Sequence, residues 1–432
     1  MDKFIKKLLY SNLLIILTGL MALQQPALAS DNSEGFERVV EIAFKSNPDI
    51  KKAYLNLKRI EGEKIQAGYL PNPEVEFEVE NFGRGYGEHT FSNSELTFYL
   101  SQKIELGGKR KFRKKASFEK LLASRENYKS IINEKLATLF IVYNKTAVAK
   151  KRLDIAEKLF NISKENLKVV SEKVKYGKTS PIQKIKANLE FEKAKLQLKE
   201  AKINFKNMKN TLANLLGVEK LPEDLLFKDF IPQGLKAEKI AKESKILSTP
   251  AIKEKEFLQK SKETELKLTK SLNIPDLKVS VGLRKFRDTD QTAYGMSLGI
   301  NLPVFNRNKG LIMKKSAERD MAYLSLKQTQ IELINYRKNI LNSFYTVKEQ
   351  NKVYKETMLP DAEKAYKAVL TAYKEGKLSY LDLLDTQRTL IFIENEYLSV
   401  KEKYIESLGE LMQLSAYFSE KYINKIKIRS ER

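Results

Sequence analysis

The chain has 432 residues, 42% of them hydrophobic, and a formal net charge of +24, of which residues 1–29 supply +2. It contains no cysteine and one histidine, which excludes disulfides, thiolate metal sites and thiol catalysis and leaves no Ser-His-Asp or Cys-His arrangement to build from. The lysines are interleaved with glutamates along helical stretches, with no aromatic platform beside them, so the basic charge reads as solvated helix faces and no nucleic-acid partner is expected.

At the start, Lys3, Lys6 and Lys7 precede the apolar run Leu13 to Leu20, and Ala27-Leu28-Ala29 has the small residues of a cleavage site. Residues 1–29 therefore read as a secretory signal peptide, too short in its apolar core for a spanning helix. From Asp31 to Tyr69 the pattern is helical, interrupted at Asn47-Pro48. Then the period changes. Val75, Phe77 and Val79 alternate with Glu74, Glu76, Glu78 and Glu80; after a Gly- and Asn-rich loop that holds His89, Leu96, Phe98 and Leu100 alternate with Glu95, Thr97, Tyr99 and Ser101. This is a β-hairpin over about 73–103, each strand long enough to cross a membrane when tilted. A lone His with no partner at ligand spacing is a loop residue, and no metal site is expected.

Residues 109–176 contain neither Gly nor Pro; as one helix they run about 100 Å, a length that neighbouring helices must support. Gly177 and Lys178 end that helix, and Ser180-Pro181-Ile182-Gln183 predicts a new start, with Ser as cap, Pro at the first position and Gln closing a capping box. Over 181–216, Ala187, Phe191, Ala194, Leu198, Ala201, Phe205, Met208, Leu212 and Leu215 form a heptad seam. Leu189, Leu196 and Ile203 make a second stripe beside it, as a ring of helices requires. The periodicity lapses over 217–248, which reads as a connecting equatorial segment.

The plan then repeats with an offset of about 200 residues. Thr249-Pro250 echoes Asn47-Pro48, a second hairpin is expected over about 275–301, and long helices over 309–375, passing Pro360, and 379–415. Gly376, Lys377 and Ser379 stand where Gly177, Lys178 and Ser180 stand in the first half. The seam of the last long helix falls at Leu390, Ile393, Tyr397, Val400, Tyr404, Leu411 and Leu414. Residues 30–216 and 249–415 thus read as two structural repeats, with 416–432 as a C-terminal equatorial tail; such duplication points to internal pseudo-symmetry. Four strands cannot close a transmembrane barrel and lipid does not tolerate open edges, so several copies must contribute. Three give twelve strands and twelve long helices.

Three stretches carry a family resemblance: the Asn-Pro-Asp-Ile start at Asn47; LPNPEVEFEVEN with SQKIELGGKR; and LPDAEKAYKAVLTAYKEGKLSYLDLLDTQRTL from Leu359 to Leu390. Through them the chain resembles the TolC-type outer-membrane efflux channels over nearly all of its mature length. The hairpin and the Gln102 to Arg110 stretch are most similar to the branch serving cobalt-zinc-cadmium and copper-silver exporters. The resemblance implies a mainly α fold with a small β part: a homotrimeric tube with a twelve-stranded barrel in outer-membrane lipid, continued by a long periplasmic helical barrel. It implies a passive duct rather than an enzyme, without cofactors, fed by an inner-membrane proton-driven pump of the resistance-nodulation-division (RND) type through a periplasmic adaptor. It places the turns at Gly177, Lys178 and Ser180 and at Gly376, Lys377 and Ser379 at the periplasmic tip where an adaptor docks. Asp382 and Asp385 match the family's gating aspartates; three residues apart, they share one helix face. Asp382 also sits three after Ser379, where a capping box would occupy it. Many relatives carry a lipid-attached N-terminal cysteine; with none here, the barrel alone is expected to hold the protein in the membrane. Heavy-metal cations are the expected cargo. Multidrug efflux and type I protein secretion use the same kind of duct, and the heptads alone would also suit a periplasmic coiled-coil structural or adaptor protein.

Overall fold

A computed structural model of the chain describes residues 34–82, 94–225, 227–228, 231 and 248–430, with side chains as far as residue 423. The expected signal peptide over 1–29, His89 and most of the expected connecting segment over 217–248 lie outside the described residues. In chain order the elements are α1 (Glu34–Ser46), α2 (Pro48–Gln66), β1 (Glu74–Glu80), β2 (Glu95–Ile104), α3 (Lys109–Lys175), α4 (Pro181–Leu216), α5 (Pro250–Ser271), β3 (Leu277–Phe286), β4 (Thr292–Ile300), α6 (Lys309–Val353), α7 (Leu359–Lys374), α8 (Tyr380–Leu414) and α9 (Tyr417–Ser430).

The two hairpins join into one antiparallel sheet of order β1-β2-β3-β4. Its register sets Phe77 opposite Phe98, Phe98 opposite Leu283 and Leu283 opposite Tyr294. One face is therefore apolar and uncovered, with Val75, Phe77, Phe98, Val281, Met296 and Leu298 exposed. The other face is polar. Lys278 Nζ lies 3.1 Å from Glu74 and 3.0 Å from Glu76, and Arg284 bridges Glu80 and Glu95 at 3.0 and 2.9 Å. Ser101 and Ser280 bond at 2.8 Å. Gly282 leaves space on this face for Tyr99, whose ring a Cβ there would meet at 2.5 Å. β1 pairs only with β2 and β4 only with β3, so both sheet edges are open among the described residues.

The 67-residue helix α3 is the spine of the helical part. Near the sheet it packs on α2 and α5, and α5 packs on α6; farther away it packs on α4 and α8, and α8 on α6 and α7. Each half is thus an arc of four helices, with α2 and α6 at the ends of one arc and α4 and α7 at the ends of the other. The seam of α4 faces inward, with Ala187, Ala194 and Leu212 buried, while Leu189, Leu196 and Ile203 are 52–67% exposed. On α8, Ile393, Val400, Leu411 and Leu414 are buried, joined by Leu398, Ile405, Leu408 and Met412.

The second long helix departs from the expected continuous run over 309–375. Residues Tyr354–Met358 form a π turn between α6 and α7. The cause is Pro360, which has no N–H to donate and whose ring would strike the carbonyl of Glu356 in a regular helix; widening the turn relieves the clash.

The core lies mid-spine, where α1 and α9 meet. Phe36 of α1 packs against Phe140 (5.9 Å, edge-on), Tyr143 (5.6 Å) and Phe418 of α9 (6.3 Å). Buried Asn133 on α3 fixes α9 by accepting from the Phe418 and Ser419 amides at 3.0 and 3.4 Å, while its side-chain amide donates to the Gln413 carbonyl. Phe140 is fully buried between Phe36 and Phe418. Phe140→Ala is expected to destabilise the fold by about 3–5 kcal/mol, read as an earlier loss of helical circular dichroism in denaturant.

Candidate functional site

The far end of the helical part is built from two matching turns. Gly177 and Gly376 have φ of 67° and 76°, a left-handed conformation that favours glycine. Each sits in the same pair of bonds: Lys178 N to Lys173 O (2.8 Å) and Gly177 N to Val174 O (3.0 Å), then Lys377 N to Ala372 O (2.9 Å) and Gly376 N to Tyr373 O (3.1 Å). This Schellman pattern satisfies the last carbonyls of α3 and α7 and turns the chain back by about one helix diameter. A Cβ at either glycine would meet nothing within 4 Å, so the tips stand open.

The two helix starts differ. Ser379 and Asp382 form a capping box: Asp382 N donates to Ser379 Oγ (3.3 Å), and Ser379 N and Oγ donate to Asp382 Oδ2 (2.9 and 2.7 Å). The bonds from the Ser379 hydroxyl and amide hold the Asp382 carboxyl below the ordinary aspartate value of 3.8. In the first half the expected box is absent. Ser180 Oγ accepts from Ile182 N (3.2 Å), the Gln183 amide donates to the Ser180 carbonyl (2.9 Å), and Gln183 Oε1 has no partner. The tight first turn takes the Gln183 N–H with a backbone carbonyl, leaving nothing for the hydroxyl to cap at that position.

Asp385 lies one turn beyond Asp382, exposed, and its carboxylate has no hydrogen bond or ion pair among the described residues. Of the two sequence-predicted carboxylates, one is committed to a cap and one is free.

Residues 39–218 and 244–416 match the family model described as outer membrane efflux protein. The chain belongs to the outer membrane efflux protein family. It is 26% identical over 366 residues, 84% of this chain and 85% of the relative, to the cobalt-zinc-cadmium resistance protein CzcC of Cupriavidus metallidurans. It is 22% identical to the toluene efflux pump outer membrane protein TtgF of Pseudomonas putida, over 73% of this chain and 68% of the relative. Among solved structures it superposes on the CmeC outer membrane channel of Campylobacter jejuni with a TM-score of 0.74 at 16% identity, covering 94% of each chain. The apolar sheet face is accordingly the outer-membrane part of an efflux channel, and the helices are its periplasmic extension.

In this efflux channel the tip carries two residues the sequence reading passed over. Arg388, a further three residues along the face of Asp382 and Asp385, pairs with Glu190 of α4 and ties α8 to the first half of the chain. The i, i+3, i+6 spacing was visible; the partner, 198 residues away, was not. Beside the pair a cavity of about 330 Å³ opens between α3, α4 and α8, floored by Leu159, Ala194 and Leu384. Burial, with Glu190 and Tyr373 nearby, pushes the Tyr380 hydroxyl up to about 12, so it stays neutral at any physiological pH. Among the described residues no group of three or more His, Cys, Asp or Glu side chains could hold a metal.

Ser379→Ala removes the box, and amide exchange at Asp382 and Leu383, whose N–H groups bond to Ser379, should accelerate roughly fivefold, the effect of a lost N-cap; Ser180→Ala should do less. Because the folded-state value of Asp382 is lowered, its contribution is present at neutral pH and is lost only as pH falls below 3.8 through that lowered value. Protection of these amides should be flat down to that acid range; a loss near pH 6 would contradict the assignment.

Proposed function

We propose that this chain is the exit duct of a tripartite efflux system for heavy-metal cations. Three copies close the sheet into a twelve-stranded barrel in outer-membrane lipid and the helices into a periplasmic tube. An inner-membrane RND transporter supplies the energy, and a periplasmic adaptor docks on the turns at Gly177, Lys178, Ser180, Gly376, Lys377 and Ser379. The observation that carries the cargo assignment is the similarity to CzcC, which is higher in identity and in coverage than that to the toluene relative. The open sheet edges support multimeric closure, since unpaired strand edges are not tolerated in lipid.

At the tip, three copies of α8 present a ring of Asp385 carboxylates, with the capped Asp382 ring one turn away. Like charges brought together at a constriction repel one another and attract cations, which gives the closed tip its affinity for divalent ions. Asp385 is the acting residue on this reading, because its carboxylate is not held by a cap. The TtgF similarity favours a second reading, in which the duct serves a pump for small apolar organic compounds.

A deletion strain should become hypersensitive to one or two of zinc, cobalt, cadmium, copper and silver, with accumulation of that metal in the cell. Sensitivity confined to solvents, dyes or drugs at normal metal content would transfer the protein to the second reading. In bilayer recordings, Asp385→Asn should weaken divalent-cation block by about tenfold, three carboxylates being lost at once; unchanged block would remove Asp385 from the gate.

A further inference from the structure

The periplasmic end of the sheet carries a surface that the duct itself does not use. β2 and β4 both run into the long helices, through Ile104, Glu105 and Leu106 on one side and Leu302 to Phe305 on the other. Ile104, Leu106, Leu302 and Val304 are exposed, and Phe305 is fully exposed. Ile104 lies on the lipid-facing side in the last pair of β2 with β3, and Leu106, Leu302 and Val304 keep the same alternation beyond the strands, with Phe305 following them. Next come the starts of α3 and α6, where Arg110, Lys111 and Lys114 in the first two turns of α3, Arg307 just before α6, and Lys309 and Lys314 in its first two turns are all exposed. None of the six has an acidic partner among the described residues. Their inward neighbours are paired: Lys109 with Asp276 at 2.6 Å, Arg113 with Glu105 at 2.6 Å, and Lys315 with Glu265 and Glu318 at 2.9 and 3.0 Å.

Arg110 Nε donates to the Gly68 carbonyl at 2.9 Å, a neutral partner that leaves its charge uncompensated, and the six cations do not serve their own helices. Neither first turn contains an acidic residue and neither helix has a side-chain cap, so positive charge there opposes the helix dipole. An external anion relieves that repulsion. Seven residues of helix rise about 10 Å, and the headgroup layer on each side of a bilayer is about 5–8 Å deep. With the apolar collar at the edge of the hydrocarbon, the six cations stand at the depth of the lipid phosphates. The arrangement occurs at corresponding places in both halves of the chain, so three copies carry six such patches around the tube.

We infer that this collar binds the anionic phospholipids of the inner leaflet of the outer membrane, with Phe305 and its neighbours among the acyl chains and the six cations on headgroup phosphates. The inference rests on the outer-membrane placement and is independent of the cargo. Its occupant follows from continuity with the lipid-facing sheet and from charge: a zwitterionic headgroup neutralises its own phosphate, whereas phosphatidylglycerol does not.

The chain contains no tryptophan, so Phe305→Trp installs a single indole, selectively excited beyond the tyrosine absorption, in the full-length protein, and Val304→Trp gives a second reading if the first variant fails to assemble. Reconstituted into vesicles, the indole should be quenched by lipid brominated on its acyl chains. At equal mole fraction, brominated phosphatidylglycerol should be preferred over brominated phosphatidylcholine by at least roughly fivefold, the effect of one basic residue at an anionic surface. Arg110→Gln, Lys111→Gln, Lys114→Gln, Arg307→Gln, Lys309→Gln and Lys314→Gln combined on that background should abolish the preference while quenching persists. Equal quenching by the two lipids with the lysines intact would overturn the proposal. Absence of quenching by either lipid, which would mean that a second copy covers the collar, would overturn it as well. Displacement by lipopolysaccharide but not by phosphatidylglycerol would assign the surface to the outer-leaflet lipid and equally refute it.

Discussion

Unpaired backbone at the sheet edges is the constraint on which the molecule depends. Four strands, apolar on one face and carrying Glu74, Glu76, Lys278 and Arg284 on the other, cannot be satisfied by one chain in lipid, where every exposed N–H and C=O costs several kcal/mol. The edge strands β1 and β4 must find partners outside the protomer. The helical part has the same incompleteness. Its arcs end at α2 and α6 near the sheet and at α4 and α7 near the tip, and the exposed stripe Leu189, Leu196, Ile203 on α4 has nothing to cover it among the described residues. A protomer with two unlike edges closes only by a head-to-tail ring. The tube is a consequence of that geometry, and a transport function follows from the tube.

Duplication supplied the plan, and small departures distinguish the halves. Asn47 caps α2 through bonds to Asp49 N and Ile50 N and also donates to the Leu215 carbonyl, whereas Thr249, its counterpart, makes no side-chain cap. The second tip has a full capping box and the first a single bond. The second long helix is interrupted by a π turn where the first is continuous. The better-fixed helix start and the wider turn both fall in the half that carries Asp382 and Asp385.

Much of this was legible in the sequence because its periods are long and clean. Alternation over Val75 to Val79 and Leu96 to Leu100 marked the strands, and the Gly- and Pro-free run after Lys109 marked the spine. The glycines at 177 and 376 marked the turns, since a left-handed residue is where a helix reverses. What stayed hidden depended on tertiary distance or local competition. The Glu190–Arg388 tie joins residues from different halves, and no periodicity connects them. Ser180 and Gln183 have the spacing of a capping box, yet the tight first turn gave the Gln183 N–H to a backbone carbonyl. Pro360 was visible, but its effect, a widened turn before it instead of a break, depends on how α6 and α7 are held against α8. For Asp382 the sequence left cap and gate side by side; the hydrogen bonds to Ser379 establish the cap and leave Asp385 as the unencumbered acid.

The central claim is that unlike edges of neighbouring copies meet. The chain has no cysteine, so pairs of introduced cysteines report that contact without background. Leu189 on α4 and Ala365 on α7 lie at similar distances from their tip glycines and at opposite ends of the arc. A Leu189→Cys, Ala365→Cys double variant oxidised in its native membrane should run as a covalent species of three chains, with each single variant running as one. A product that stops at two chains would mean a like-with-like interface, and a product of one chain would mean that these edges never meet another copy; either result would contradict the account.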